Sequence, residues 1–511
     1  MSVNLERVSP EEVGFSSDVI QRWLNALEKT GTEMHSFMLA RHGKVCAEGW
    51  WQPYAPPLIH SQQSLTKTYA VTALGALHDE GLLFLEEKVA DLFEDCLPAN
   101  PCERLKRMTV WHLLSMSSGI RGSVDIGNPH WIRDFLSLPV SEEPGKAFQY
   151  SGLCTALGAA ILRRKTGMNL IEYMCPRIFD KIGIDASKLK SLHMGDGLEY
   201  AGGGFFTTTE DNLRLMMLYL NQGVWQGNQV LSREWCQAVT TRQIDTASEE
   251  RNNPGSTDNY VGYGLQCWMC RPKGVYRADG AMGQYAIVFP ELDAVLAITE
   301  TADIHKGQHQ AVLNTIWDVL MPGIQAGEPV ERTRAYEALQ RRIQCLALQR
   351  KVYDPCLQTD AKRIHGKTWF LEKNDVVLLP GTCFASIGRE KAGVEALTFR
   401  FYAKTAELLW KQHGETMRVE VGTYGIPVVN QGCYGPARLE WLWALGGWKK
   451  PNVFECELRM LETCFSVVYI FCFEDTHMSM QIRARGAQPG KVQTSDLVYG
   501  TVSDKGQSFC P

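Results

Sequence analysis

The sequence lacks any apolar run long enough to cross a bilayer, and Met1 to Arg7 contain no hydrophobic core of a secretion signal. We therefore expect a cytoplasmic protein without a membrane partner. Long blocks of basic residues are also missing, and the formal net charge is −5. Because nucleic acids are bound through clustered lysines and arginines, this balance argues against a nucleic-acid partner.

Two common ligand sites are incomplete. Cys267 and Cys270 have the spacing of half a zinc site, but no second Cys-x-x-Cys or His-x-His pair completes it. The glycines at 202–204 lack the lysine and the directly following helix of a phosphate-binding loop. We predict no cofactor and no metal. The 16 cysteines, scattered over 511 residues, are interpreted as reduced and mostly buried thiols.

A Ser-x-x-Lys stretch stands at the head of an apolar segment. Ser64 and Lys67 are three residues apart, so they share one face of a helix. Burial of that helix would disfavour the charged lysine, whose amine could then accept the serine proton. The alternative is a serine that only caps the helix. A second copy, Ser187 to Lys190, lies in a polar stretch with no apolar helix after it.

Several other segments carry boundary signals. Ser9 and Glu12 form a capping box, and a helix is predicted from about Ser17 to Lys29. A hairpin follows, with strands at 35–41 and 45–51. Helices are also predicted from 109, 153, 209, 309 and 332, and strands at 263–269, 285–289 and 295–299. His112, inside one apolar helical run, is interpreted as a core histidine.

The composition changes towards the C-terminus. From about Thr368 to Val502, short runs replace the long helical segments, and three of them alternate between polar and apolar residues. The runs lie at 376–379, 417–421, 454–458 and 480–483. We divide the chain into a first domain at 1–330, a helical linker at 331–350 and an antiparallel β domain at 351–511, either a barrel or a sandwich.

Five stretches together resemble the serine β-lactamase and penicillin-binding-protein-like hydrolases. They are Ser64 to Lys67, Thr109 to Gly119, Tyr150 to Gly152, Ala201 to Thr209 and Gly280 to Gln284. The nearest branch is the class C-type group of family VIII esterases, D-aminopeptidases and 6-aminohexanoate-dimer hydrolases. The resemblance implies a mixed α/β (α+β) fold, in which an antiparallel sheet flanked by helices is joined to an all-helical subdomain. Some relatives carry a lipocalin-like barrel at the C-terminus.

The resemblance also implies roles for individual residues. Ser64 would be the acylated nucleophile, Lys67 would assist its deprotonation, and Tyr150 would shuttle the proton to the leaving group. A phenol beside an ammonium is expected to have a lowered pKa. The backbone N–H groups of Ser64 and of Ala281, which follows Gly280, would form the oxyanion hole.

Two departures from the family pattern concern the substrate. Gly152 stands where many relatives carry an asparagine, so a donor near Lys67 is missing. Ala278-Asp279-Gly280 stands where β-lactamases carry Lys-Thr-Gly, which removes the cation that binds a β-lactam carboxylate. Strand alternation predicts that Arg277 points away from the site. Asp279 is therefore expected to favour a substrate that carries an amine.

These observations lead to one main hypothesis and two alternatives. The main hypothesis is a metal-independent serine hydrolase that cleaves a small ester, amide or short peptide, such as a D-amino-acid peptide, through an acyl-enzyme. The alternatives are a catalytically weak binding or scaffold protein on the same fold, and a β-lactamase of low activity. A homo-oligomer is an open option, since Trp441, Trp443 and Trp448 form either the core of the β domain or an apolar interface.

Overall fold

The computed structural model describes residues 4–324, 334–354, 361–374, 376, 393–412, 414–434, 438–485 and 497–502. The chain divides into two compact units, residues 1–347 and 348–511. The finer division at 330 and 350 stays a prediction. Of the predicted strand at 376–379, residues 377–379 lie outside the described residues. In the part that the structure describes, no helix is both long and apolar enough to cross a membrane.

The first unit combines helices with one main sheet. Its helices are α1 (Ser17–Lys29), α2 (Thr66–Asp79), α3 (Val89–Leu92), α4 (Glu103–Arg107), α5 (Val110–Leu114), α6 (Trp131–Leu136), α7 (Gly152–Thr166), α8 (Leu170–Met174), α9 (Asp180–Ile182), α10 (Thr209–Leu220), α11 (Arg233–Thr240), α12 (Glu249–Asn252), α13 (Gln308–Thr315) and α14 (Arg334–Gln344). Its strands are β1 (Glu33–Arg41), β2 (Lys44–Trp50), β3 (His60–Ser61), β4 (Lys190–Ser191), β5 (Phe205–Thr207), β6 (Val224–Trp225), β7 (Asn228–Gln229), β8 (Trp268–Met269), β9 (Tyr276–Gly280), β10 (Gln284–Phe289) and β11 (Ala294–Thr301).

The main sheet is antiparallel and has the order β2-β1-β11-β10-β9-β8. The predicted helix α1, the capping box before it and the hairpin β1–β2 are confirmed. The predicted strand at 263–269 is wrong for most of its length, since only Trp268 and Met269 are extended. Gln266 has a left-handed φ of 61°, and the Gly264 amide donates back to the Cys267 carbonyl at 2.8 Å. This local turn interrupts the strand.

Helix α2 lies inside the first unit. Every residue from Thr66 to Leu77 is buried, because the helix carries small or apolar side chains on all its faces. Gly75 is required there, since a Cβ would lie 2.4 Å from the Trp235 ring. This burial holds Lys67, in the first turn, away from bulk water.

The second unit is a closed β-barrel, and its described residues include one short helix, α15 (Ala361–Ile364). Its strands are β12 (Thr368–Leu371), β13 (Val394–Phe401), β14 (Thr405–Gln412), β15 (Glu415–Gly422), β16 (Val428–Tyr434), β17 (Leu439–Lys450), β18 (Val453–Met460), β19 (Ser466–Phe473), β20 (His477–Arg485) and β21 (Val498–Val502). Nine strands follow one another around the barrel, which closes where Gly422 of β15 pairs with Leu445 of β17. Strand β16 pairs with residues 439–444 of β17, just before this closing pair. The barrel alternative of the sequence analysis is confirmed. Trp443 and Trp448 are buried, while Trp441 is half-buried.

Glu199 makes the stability of the first unit depend on pH. Its carboxylate accepts the Ile171 amide of α8 at 3.0 Å. Burial raises the pKa of Glu199 to about 7 from an ordinary value of 4.5. Between these two pH values the folded protein keeps a proton that the unfolded chain has released, so stability falls as the pH rises through this window.

We expect Glu199→Gln to remove this pH dependence, because the amide is neutral and keeps an acceptor oxygen. At pH 8 the variant should be more stable than the wild type by on the order of 3 kcal/mol, and at pH 4 the two should be equal. Thermal unfolding across this range measures the effect. Glu172→Gln, at an exposed neighbouring carboxylate, is the matched control. Parallel curves for wild type and Glu199→Gln would contradict the prediction.

Candidate active site

Ser64 and Lys67 lie together at the start of α2. The Lys67 Nζ atom donates to the Ser64 hydroxyl at 2.8 Å and to the Gly202 carbonyl at 2.5 Å. The lysine side chain is buried, with the residue 2% exposed. The structure therefore gives the serine hydroxyl an amine partner at hydrogen-bond distance, as the three-residue spacing predicted.

A strained turn presents Ser64. Gln63, Ser64 and Leu65 form a short 3-10 turn before α2, and Gln63 has a left-handed φ of 50°. The buried side-chain amide of Gln62 holds the chain before this turn, since its Nε2 atom donates to the His60 carbonyl at 2.7 Å and to the Thr207 carbonyl at 3.0 Å. A non-glycine residue in this conformation persists only where surrounding contacts hold it. The position of the hydroxyl is thus set by the turn rather than by the helix alone.

Tyr150 contacts both residues from the segment before α7. A hydrogen bond joins its phenol to Ser64, and the Lys67 ammonium position lies 4.7 Å from the centre of its ring. The Trp268 ring stacks on the phenol ring at 5.6 Å. Burial raises the pKa of Tyr150 well above its ordinary value, and the hydrogen bond with Ser64 offsets part of that rise. The expectation of a lowered pKa is wrong because desolvation of the phenolate dominates.

A cleft of about 210 Å³ opens beside Ser64 and Tyr150. It is lined by Ser64, Tyr150, Glu249, Asn253, Ser256, Asn259, Trp268, Arg277, Asp279, Gly280, Ala281, Met282, Gly283, Tyr285, Ile304, His309 and Leu313. Of the residues predicted from sequence, Asp279, Gly280 and Ala281 line the same cleft, whereas Gly152 does not.

Gly280 brings β9 against the turn that carries Ser64. A Cβ at this position would lie 2.1 Å from the Gln62 carbonyl oxygen, so only glycine allows the approach. The next residue, Ala281, begins the turn into β10 and lines the cleft. Its proximity supports the oxyanion-hole assignment, which stays a prediction.

Arg277, which is fully buried, and Asp279, whose side chain is 20% exposed, form an ion pair on the cleft wall. The Arg277 Nε atom donates to the Asp279 carboxylate at 2.7 Å, and the guanidinium also binds Asn259 at 2.5 Å. The predicted orientation of Arg277 is wrong. Alternation points Arg277 away from its neighbour Ala278, but it places Arg277 and Asp279, two residues apart, on the same face. The Asp279 carboxylate beside the site is therefore already paired with the Arg277 guanidinium.

Sequence reasoning missed the residues of the opposite wall. Glu249, Asn253, Ser256 and His309 line the cleft, and the Glu249 carboxylate accepts the side-chain amide of Asn253 at 2.7 Å. Glu249 begins the short helix α12 and His309 lies in the first turn of α13, while Asn253 and Ser256 lie in the segment that follows α12, and none of them belongs to a sequence motif. The sequence did contain a signal for one further acid, because Glu300 stands within the otherwise apolar strand β11. Its side chain is fully buried and lies directly against Gly283.

Two sequence candidates have structural roles instead. The His112 ring accepts the Thr109 backbone amide at 2.9 Å and so caps α5. It is a half-buried capping residue, not a core residue. In the second Ser-x-x-Lys copy, the Ser187 hydroxyl donates to Asp185 at 2.6 Å, and Lys190 lies in β4 rather than on a shared helix.

Comparisons with known proteins give the family. The model of the Beta-lactamase family matches residues 24–311. A curated relative, the 6-aminohexanoate-dimer hydrolase of Paenarthrobacter ureafaciens, is 24% identical over 337 residues, which cover 61% of this chain and 81% of the relative.

Solved structures with similar folds have low identity. The octameric penicillin-binding protein homologue of Pyrococcus abyssi is 14% identical with a TM-score of 0.47, over 95% of this chain and 99% of that one. A penicillin-binding protein homologue of Caulobacter crescentus is 16% identical with a TM-score of 0.46, over 58% and 98% of the two chains. Because the family model covers more than half of the 511 residues, this chain belongs to the Beta-lactamase family, a family of β-lactamase-fold hydrolases.

Proposed function

We propose that this protein is a serine hydrolase that cleaves a small ester or amide through an acyl-enzyme on Ser64. The proposal depends on one observation: the buried Lys67 amine lies 2.8 Å from the Ser64 hydroxyl, and the Tyr150 phenol is hydrogen-bonded to the same hydroxyl. A serine that only caps a helix has no use for two proton-transfer groups.

The acylation step follows from these contacts. The Ser64 oxygen attacks the substrate carbonyl carbon while its proton passes to the uncharged amine of Lys67. The backbone N–H groups of Ser64 and Ala281 stabilise the resulting oxyanion. When the tetrahedral intermediate collapses, the bond to the leaving group breaks and Tyr150 donates a proton to that group. The raised pKa of Tyr150 favours this acid role, since the phenol enters the cycle protonated.

Deacylation reverses the same transfers. A water molecule attacks the acyl carbon and loses a proton to Tyr150, and the bond to the Ser64 oxygen breaks. The serine oxygen recovers its proton from Lys67, which becomes an uncharged amine again. The products are a carboxylic acid and the alcohol or amine released earlier, so the enzyme returns to its starting state.

The charges on the cleft wall restrict the acyl group. Arg277 is fully buried and its guanidinium is bound by Asp279, Asn259 and the Asp258 carbonyl. We therefore assign it no part in binding a substrate carboxylate, and β-lactams rank as poor substrates.

Glu249 is the other carboxylate of the lining. Glu249 is 3% exposed and accepts the side-chain amides of Asn252 and Asn253 at 2.7 Å, but among the described residues no lysine or arginine pairs with it. This unmatched charge favours a substrate with an amine, such as an aminoacyl ester or a D-amino-acid peptide. A homo-oligomer stays a prediction.

A substrate panel tests the function. It comprises acyl p-nitrophenyl esters, D- and L-aminoacyl anilides and the β-lactam nitrocefin, each with wild type, Ser64→Ala and the matched control Ser187→Ala. We expect wild type and Ser187→Ala to hydrolyse esters or anilides at equal rates, Ser64→Ala to be inactive, and nitrocefin to react slowest. Equal hydrolysis rates for wild type and Ser64→Ala would show that Ser64 is not the nucleophile and overturn the proposal. No hydrolysis by any of the three proteins would favour a scaffold and also overturn it.

Amine recognition is expected to depend on Glu249 more than on Asp279. Comparing aminoacyl with unsubstituted acyl esters, we expect Glu249→Gln to lower the preference for the amine by about tenfold. Asp279→Ala should change the preference by less than about twofold, because Arg277 already matches its charge. The ratio of the two kcat/KM values measures each effect. An unchanged ratio in Glu249→Gln would remove the assignment.

A further inference from the structure

Tyr200 lies beside the candidate catalytic groups although no motif singles it out. The residue is 7% exposed. Its hydroxyl oxygen is 2.6 Å from the point where a Cβ on Gly152 would lie, and also 2.6 Å from that point on Gly202. The Tyr200 ring therefore fills the space beside two backbone segments. A Cβ at Gly152 would have to displace the Tyr200 hydroxyl, and a Cβ at Gly202 would also meet the Gly152 carbonyl oxygen at 2.8 Å.

One of these segments holds the lysine. The Gly202 carbonyl accepts from Lys67 at 2.5 Å. The backbone N–H of Gly204 donates to the Tyr200 carbonyl at 2.8 Å, and the backbone N–H of Tyr200 donates to the Leu192 carbonyl at 2.8 Å. The turn at 200–204 is thus anchored at both ends, and the ring packs on the residue whose carbonyl meets the amine.

The other segment follows Tyr150. Gly152 begins α7, and the Tyr200 hydroxyl stands where a side chain at this position would start. The two phenols are also close enough to interact, since Tyr200 contributes to the raised pKa of Tyr150. A polar oxygen therefore occupies the space between the lysine-binding turn and the Tyr150 segment.

We infer that Tyr200 is a positioning residue of the proposed reaction: its ring fixes the Gly202 carbonyl against Lys67, and its hydroxyl takes the place of a polar side chain at 152. This inference rests on the proposed function. It explains why the chain tolerates glycine two residues after Tyr150. The polar group is supplied from a position about fifty residues away along the chain.

Two sets of variants separate the ring from the hydroxyl. Tyr200→Phe keeps the ring, so we expect kcat to fall about tenfold while KM and the thermal unfolding temperature stay near the wild-type values. Tyr200→Leu removes the ring as well and should lose more. Tyr173→Phe, which removes the buried phenol that donates to Glu80 at 3.0 Å, is the matched control and should keep full activity. A wild-type kcat in Tyr200→Phe would overturn the role of the hydroxyl.

A compensating pair tests the shared space directly. Gly152→Asn should lower kcat by about a hundredfold, because its side chain collides with the Tyr200 hydroxyl. Adding Tyr200→Ala empties that space, so the double variant should recover at least about tenfold in kcat over Gly152→Asn alone. A double variant no more active than the single one would overturn the inference. All rates are read with wild type and Ser64→Ala alongside. If these two are equally active the proposed function itself has failed, whereas a Ser64-dependent wild type confines any failure to Tyr200.

Discussion

Lys67→Met is expected to lower kcat/KM by a factor of about 10³ or more, within the range for loss of a general base and its positioning contact. The variant removes the amine that lies 2.8 Å from the Ser64 hydroxyl and keeps a side chain of similar length. Tyr150 cannot replace the base, because its raised pKa keeps the phenol protonated. The serine then has no group that can accept its proton.

Pre-steady-state release of p-nitrophenol from an acyl ester measures this effect at the acylation step. Methionine is apolar and suits the buried position of Lys67, so the fold should survive, which thermal unfolding checks. Lys190→Met, in the second Ser-x-x-Lys copy, is the matched control and should acylate at the wild-type rate. An acylation rate in Lys67→Met within about threefold of wild type would show that Lys67 is not the base.

Arg277→Met is expected to cost about 3 kcal/mol of unfolding free energy, the lower end of the usual loss for a buried ion pair, because the Asp279 side chain that remains is 20% exposed. The guanidinium is fully buried and binds Asp279 at 2.7 Å and Asn259 at 2.5 Å. It also lowers the pKa of the buried Asp258, although burial itself acts in the opposite direction. Without the arginine, the Asp279 carboxylate loses its ion-pair partner and the Asn259 side-chain oxygen loses its donor, while Asp258 keeps Arg271 as a cation.

Urea unfolding of matched variants separates this loss from an ordinary surface effect. Arg271→Met is the control, because Arg271 also binds Asp258, at 3.1 Å, with 43% of its side chain exposed. It should cost no more than about 1 kcal/mol. The double variant Arg277→Met, Asp279→Leu should recover part of the loss, since it leaves no unpaired carboxylate at 279. The account of the ion pair fails if Arg277→Met and Arg271→Met are equally stable.

The Arg277 pair also shows where reasoning from sequence goes wrong. Ala278 stands where the family carries a lysine, and alternation along the strand predicts that its neighbour Arg277 points to the opposite face, away from the site. The same rule, applied between Arg277 and Asp279, puts both on one face. The Asp279 carboxylate is therefore not a free charge in the site, because the Arg277 guanidinium, two residues away, binds it at 2.7 Å.

Local features of the fold could be predicted from the sequence because their determinants are close along the chain. The bounds of α1, the capping box at Ser9 and the spacing of Ser64 and Lys67 depend on a few neighbouring residues. The pKa of Tyr150 could not be predicted in the same way. The main cause of the raised pKa is burial of the phenol among side chains from distant segments, including Trp268.

Long-range approach explains the remaining misses. Tyr200 meets Gly152 only because the turn at 200–204 folds back onto the start of α7. The barrel closes through the pairing of Gly422 with Leu445, which no single segment encodes. At Gly152 the sequence shows only a glycine, and the structure shows that the distant Tyr200 hydroxyl occupies the space where a side chain would begin.

The central claim, that Ser64 is the acylated residue, is tested most directly by intact-mass measurement after treatment with a fluorophosphonate, followed by peptide mapping. We expect one adduct per chain on the peptide that contains Ser64, the same adduct in Ser187→Ala, and none in Ser64→Ala. An adduct that persists in Ser64→Ala, or a wild-type chain that stays unmodified while it hydrolyses esters, would contradict the account.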